Sequence, residues 1–132
     1  MENYVYNLQY NNLELKRMKS KEINAKELEL SNFIARFYKD NIGKGPRNVE
    51  IKFTDNIMIY FVEGLLTPLE KSILQTNGGK EVVTSGRLLI VNNWKPKRLE
   101  AFEKIVEKKI VDEYISLDID KDLAIGLVVL QK

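Results

Sequence analysis

Carboxylates, lysine and tyrosine are the side chains with which this sequence could do acid–base or nucleophilic chemistry, since its 132 residues hold no histidine and no cysteine. That removes the imidazole base, the thiolate nucleophile and the nitrogen and sulfur ligands that zinc prefers. A Ser/His/Asp or Cys/His unit cannot be assembled, and neither a GxGxxG turn nor a GxxxxGK[ST] phosphate loop occurs. No spacing pairs two acids for general acid–base work. The expectation is a non-catalytic protein with no metal and no cofactor; a small carboxylate-based enzyme is the alternative.

Two stretches could receive an anion. Gly43-Lys44-Gly45-Pro46-Arg47 combines free backbone N–H groups with two cations. The same residues also read as the stop of a helix, whose C-terminal pole repels phosphate. Thr67-Pro68-Leu69-Glu70-Lys71 lies at the opposite kind of pole, where N–H groups and positive potential suit an anion. It reads equally as a Thr N-cap, a proline at N1 and a capping-box glutamate at N3. If both stretches sit at one end of a sheet, Lys44, Arg47, Lys71 and Arg87 line one basic cleft. The candidate binding residues are therefore Gly43, Lys44, Gly45, Arg47, Thr67, Glu70, Lys71 and Arg87, for a small anion or a protein partner.

Three other constellations read better as structure. The Gly43–Pro46 turn has the outline of a nucleic-acid-clamping G-x-x-G loop, but Pro46 stands where the second glycine belongs and a strand pattern follows it. An RNA-binding module is kept as an alternative. Asp118, Asp120 and Asp122 imitate the opening of a calcium loop, yet Leu123 replaces the glycine and Val129 the final glutamate; a polar turn explains them. Trp94-Lys95-Pro96-Lys97-Arg98 reads as a solvated kink with Trp94 on the core.

These residues need elements to hold them. Over residues 1–22, Tyr4, Tyr6, Leu8 and Tyr10 alternate at period two, and Asn11-Asn12 could turn a hairpin; a disordered polar extension is the other reading. From Ile23 to Ile42, Leu30, Phe33, Ile34, Phe37 and Tyr38 recur at three and four, a helix stopped by Gly43, Gly45 and Pro46. Val49, Ile51 and Phe53 alternate; Asp55-Asn56 turns the chain; Ile57–Val62 is apolar on both faces, so its strand belongs at the centre of a sheet. A short helix follows Thr67. Residues 86–93 fit a helix weakened by Gly86 or a buried strand, and after Pro96 the helical pattern runs through Leu99, Phe102, Val106. A last hairpin joins Ile115–Ile119 to Leu123–Leu130. The order α-β-β-α-α-β-β predicts an α+β two-layer sandwich: an antiparallel four-stranded sheet of two hairpins with helices packed on one face, besides the N-terminal hairpin.

With these placed, the chain resembles the MpsC-type domain family, first catalogued as a domain of unknown function and named for a sodium-translocating, membrane-potential-generating system of bacteria. Ser31-Asn32 and Tyr38 through Gly43-Lys44-Gly45-Pro46 match its first-helix end. Gly64-Leu65-Leu66-Thr67-Pro68-Leu69-Glu70-Lys71 matches its most specific string, G-x-L-T-P-x-E-K, and Gly79-Lys80, Arg87 and Asp118-Ile119 match later positions. The similarity covers residues 23–132 as a single domain, with residues 1–22 an Asn/Tyr-rich extension. Ser85-Gly86 and the lack of a glycine turn near Ile110 depart from the pattern. The resemblance implies a binding or accessory role linked to sodium or inorganic-carbon transport, with peripheral contact to a membrane complex.

Charge and hydropathy set the remaining expectations. Twenty-one basic against nineteen acidic residues leave a net charge of +2, too balanced for a dedicated nucleic-acid binder. The longest apolar run, Leu123 to Leu130, falls far short of the ~20 residues a spanning helix needs. The start Met1-Glu2-Asn3-Tyr4 has no basic and apolar leader pattern, so a cytoplasmic protein is expected. A homo-oligomer could form if the Tyr-rich extension pairs with a sheet edge of another copy.

Overall fold

The computed structural model describes the backbone of residues 2–132 and the side chains of residues 20–132. Its first element, α1, runs over Glu2–Ile42, 41 residues without interruption. The hairpin expected over the Asn/Tyr-rich start is thus replaced by helix, and with it goes the idea of that segment as an added strand. No glycine or proline lies between residues 2 and 42. Once the helix from Ile23 exists, each residue added at its N-terminus gains a hydrogen bond without a new nucleation step. Asn11-Asn12 also lacks the glycine that a two-residue hairpin turn favours. The helix ends where expected: Gly43 takes φ +92° and its N–H reaches the Lys39 carbonyl at 3.0 Å.

Strand β1 (Asn48–Thr54) and strand β2 (Ile57–Glu63) form the first hairpin, turned at Asp55, φ +52°. Helices α2 (Pro68–Leu74) and α3 (Gly79–Val106) follow, then β3 (Ile110–Asp118) and β4 (Leu123–Leu130), turned at Asp122, φ +51°. All four strands form one antiparallel sheet in the order β1-β2-β4-β3. This is the α+β sandwich with the element order expected, and the two apolar strands, β2 and β4, are its centre.

Residues 86–93 are helix. The reason is the inward phase of α3: Val83, Arg87, Val91, Trp94, Arg98, Phe102 and Val106 follow one another at three or four residues and meet the core or the cavities beside it. A strand would have turned half of these outward. Helix α3 also runs through Pro96, and the Arg98 Nη1 donates to the Val91 carbonyl at 3.0 Å beside the break in the ladder.

The core lies on one side of the sheet. Leu30 and Ile34 of α1 and Phe102 and Val106 of α3 pack on Ile51, Met58, Tyr60, Val62, Ala124 and Val128. Phe102 sits edge-on to Phe33 and Tyr60, with centroids 5.9 and 5.6 Å away, a geometry that suits the ring quadrupoles. Gly126 pairs with Tyr60, and a Cβ there would collide with the Tyr60 ring. The glycine thus lets the ring lie flat over β4.

Candidate functional site

The string Gly64–Lys71 forms the loop from β2 into α2, and it is braced from four directions. Gly64 turns with φ +73°, and a Cβ on it would press on Arg47. Thr67 caps α2: its hydroxyl accepts from the Glu70 N–H at 3.2 Å, and Glu70 Oε1 accepts from the Thr67 N–H at 2.9 Å. The same Glu70 carboxylate receives Arg87 of α3 through Nε at 2.7 Å and Nη2 at 2.6 Å. Arg87 Nη2 also donates to the Leu65 carbonyl at 2.7 Å. Lys44 Nζ donates to the Leu66 carbonyl at 2.8 Å, and Asp122 Oδ1 accepts from the N–H groups of Leu65 and Leu66 at 2.7 and 2.9 Å.

The structure therefore brings Lys44, Thr67, Glu70 and Arg87 together around one loop, with Gly43 and Gly45 just past α1. Two of the four cations are committed there. Arg87 is buried against a carboxylate and a carbonyl, and Lys44 spans to a carbonyl. Arg47 is on the outside, its side chain 71% exposed and 3.4 Å from Glu63. Lys71 is exposed in the last turn of α2; its backbone N–H donates to the Thr67 carbonyl at 3.0 Å, and among the described residues no hydrogen bond or ion pair joins its side chain to the others. The motif acts as a scaffold joining α1, the sheet turn, α2 and α3.

A second buried pair was missed by the sequence reading. Arg98 grips Glu113 through Nε at 3.0 Å and Nη2 at 2.6 Å, and the Tyr60 hydroxyl donates to the same carboxylate at 2.9 Å. Burial, then the neighbouring Glu113 charge, pushes the Tyr60 phenol far up, so it donates at every ordinary pH. Desolvation opposes the Arg98 charge, but the hydrogen bonds and charge of Glu113 outweigh it. A clue was present: stepping back by two from the inward Leu117 and Ile115 lands on Glu113, a charge in apolar phase. Beside this pair lies a cavity of about 30 Å³ lined by Tyr38, Trp94, Phe33 and Phe37 among others, space for a single water.

Asp118 and Asp120 serve other ends. Asp118 accepts from the Lys121 N–H at 3.0 Å and Asp120 pairs with Lys80 at 2.7 Å. Among the described residues no group of acids is arranged to hold a metal ion.

The largest feature left uncommitted is the other side of the sheet. The side chains of β2 and β4 that point away from the helices are Ile57, Ile59, Phe61, Glu63, Leu123, Ile125, Leu127 and Val129, all partly exposed. Ile57 pairs with Val129, Ile59 with Leu127 and Phe61 with Ile125, which gives three adjoining apolar rows. Polar residues flank them: Glu50, Lys52 and Thr54 on β1, and Asp112, Tyr114 and Ser116 on β3, all exposed. The helices cover one face of β2, as the element order predicts, and the other face is apolar as well.

Fold and site together define a two-layer α+β domain with a braced loop and one open sheet face. Residues 22–132 match the family described as "Na+-translocating membrane potential-generating system (MpsC)", and the chain belongs to that family. It is 25% identical over 105 residues to the uncharacterized protein YrhF of Bacillus subtilis (strain 168), covering 79% of this chain and 86% of that protein. No solved structure matches.

Proposed function

We propose that this MpsC-family chain is a non-catalytic docking domain that works as an accessory factor by seating its open sheet face on a protein surface. The observation behind this reading is the apolar stripe over β2 and β4 with its polar rim, the anatomy of an interface core and edge. The buried acids favour the same reading. Glu70 and Glu113 are each locked to an arginine, so neither is poised to move a proton to a substrate. A small anion would have to be held by Arg47 and Lys71 alone, because Lys44 and Arg87 are engaged. The family's description, a sodium-translocating, membrane-potential-generating system, is consistent with an accessory role beside such a system. Among the described residues, no helix is long and apolar enough to cross a membrane.

Photo-cross-linking in the source cell tests the reading. A photoreactive phenylalanine analogue at position 127 should give covalent protein adducts, while the same group at position 89, an exposed site on α3, should give few. Equal labelling from both positions would count against docking through the sheet.

A further inference from the structure

We infer that the occupant of the open sheet face is a second copy of this chain, seated face to face with the two sheets related by a two-fold axis parallel to the strands. This rests on the docking reading above and names its partner. Such an axis, placed between β2 and β4, lays β2 on the partner copy's β4 and β1 on its β3, and it keeps each cross-strand row level with itself.

The rows are self-complementary under that operation. Level with Thr54 on β1 stands Asp112 on β3, linked through Ile57 and Val129. Level with Lys52 stands Tyr114, level with Glu50 stands Ser116, and level with Asn48 stands Asp118. The rim acids Glu50, Asp112 and Asp118 of one copy therefore meet a hydroxyl or amide donor of the other, the rim lysine meets an aromatic ring, and Glu63 at the end of β2 lies opposite Leu123. The alternative axis, across the strands, would set Lys52 against Glu50 but also Asp112 of one copy against Asp118 of the other, a like-charge contact. Aligned sheets cross by about 30°, which displaces edge residues by roughly 4 Å, less than the ~7 Å between rows.

Size and edges agree. Four strands by seven residues span about 19 by 24 Å, roughly 450 Å² of sheet plane per copy. Side-chain relief raises that toward the ~800 Å² per partner of a standard interface. The sheet edges offer less: β3 carries a register irregularity at Val111, and α1 packs along β1. Growth through the edges is discouraged, and pairing through the face is not.

Sedimentation equilibrium of the full chain over a concentration series is the test. The mass should rise from one chain to two, and the Ile59→Lys/Leu127→Lys double variant should stay at one chain. A second measurement does not depend on that variant. The chain has no cysteine, and positions 54 and 112 lie on opposite sheet edges, too far apart to bridge within one copy. A bis-maleimide reagent with a spacer of roughly 8 Å, suited to sheets packed about 10 Å apart, should link Thr54→Cys/Asp112→Cys into a covalent dimer, whereas Glu50→Cys/Asp112→Cys, two rows out of level, should give none. A wild-type mass of one chain throughout, together with no cross-linked dimer, overturns the inference. If adducts from position 127 then contain only other proteins, the docking reading survives without the second copy; if there are no adducts, both fall.

Discussion

Arg87 and Glu70 meet through two parallel hydrogen bonds of 2.7 and 2.6 Å, and the same carboxylate closes the capping box of α2. One ion pair thus holds the start of α2, the middle of α3 and the loop between sheet and helix. Breaking a buried pair by removing one partner strands the other charge, which typically costs about 3–5 kcal/mol. Arg87→Met should lower the unfolding free energy measured by urea titration by that much. Arg87→Met/Glu70→Leu should recover part of the loss, and a strictly additive double-mutant cycle would mean the two side chains do not support each other.

The same carboxylate should shape the acid limb of stability. Burial alone raises the Glu70 carboxyl, but hydrogen bonds from Arg87 and Thr67 and the Arg87 charge outweigh it and leave it below its ordinary value of 4.5. A group whose folded pKa is depressed stabilises above its unfolded pKa, and that contribution is lost as pH falls through the folded value. Wild-type Tm should therefore decline as pH drops below about 4.5. Glu70→Gln should start lower and lose less over the same window, as followed by thermal melts across acid pH.

Gly126 should tolerate no Cβ while Tyr60 is present, because the ring occupies the space. Gly126→Ala should cost about 1–3 kcal/mol through forced movement of a packed core. The cost should shrink when Tyr60→Leu is made as well. Tyr60→Phe alone should cost only about 1 kcal/mol, the net worth of one hydrogen bond, since Arg98 still satisfies Glu113. Urea titrations of the variants measure all three.

Small anions should bind weakly if at all. Phosphate or bicarbonate at matched ionic strength should leave Tm unchanged, whereas a ligand at a hundred times its Kd would add about 2.7 kcal/mol. Arg47→Ala and Lys71→Ala should shift stability by no more than about 0.5 kcal/mol, as exposed substitutions do. A Tm rise in bicarbonate that Arg47→Ala abolishes would restore the basic cleft.

Elements whose sequence contained its own start and stop were legible from residues alone. Thr67, Pro68 and Glu70 announce α2, Gly43 ends α1, and the alternation of Val49, Ile51 and Phe53 announces β1. The first twenty residues misled because tyrosine at every second position imitates a strand, while helix propagation from Ile23 is decided by the absence of any breaker. At the site, Lys44, Thr67, Glu70 and Arg87 come together around one loop, and spacing could not show that Lys44 and Arg87 face inward to carbonyls and a carboxylate. Asp122 was read only as a turn, and its role as acceptor for two loop N–H groups depends on a contact 57 residues away in sequence. Element order told that the helices lie on one side of the sheet, but not that the second, equally apolar side of β2 lacks helical cover.

Met58 and Ile59 are adjacent in β2, Met58 fully buried against the helices and Ile59 on the open side. Urea unfolding of Met58→Lys and Ile59→Lys, at protein concentrations low enough to keep chains apart, tests that division most directly. Met58→Lys should lose about 4 kcal/mol or more, from an unpaired charge in the core. Ile59→Lys should stay within about 1 kcal/mol of wild type. Equal, severe losses from both would mean that the side of the sheet assigned to docking is interior to the fold itself.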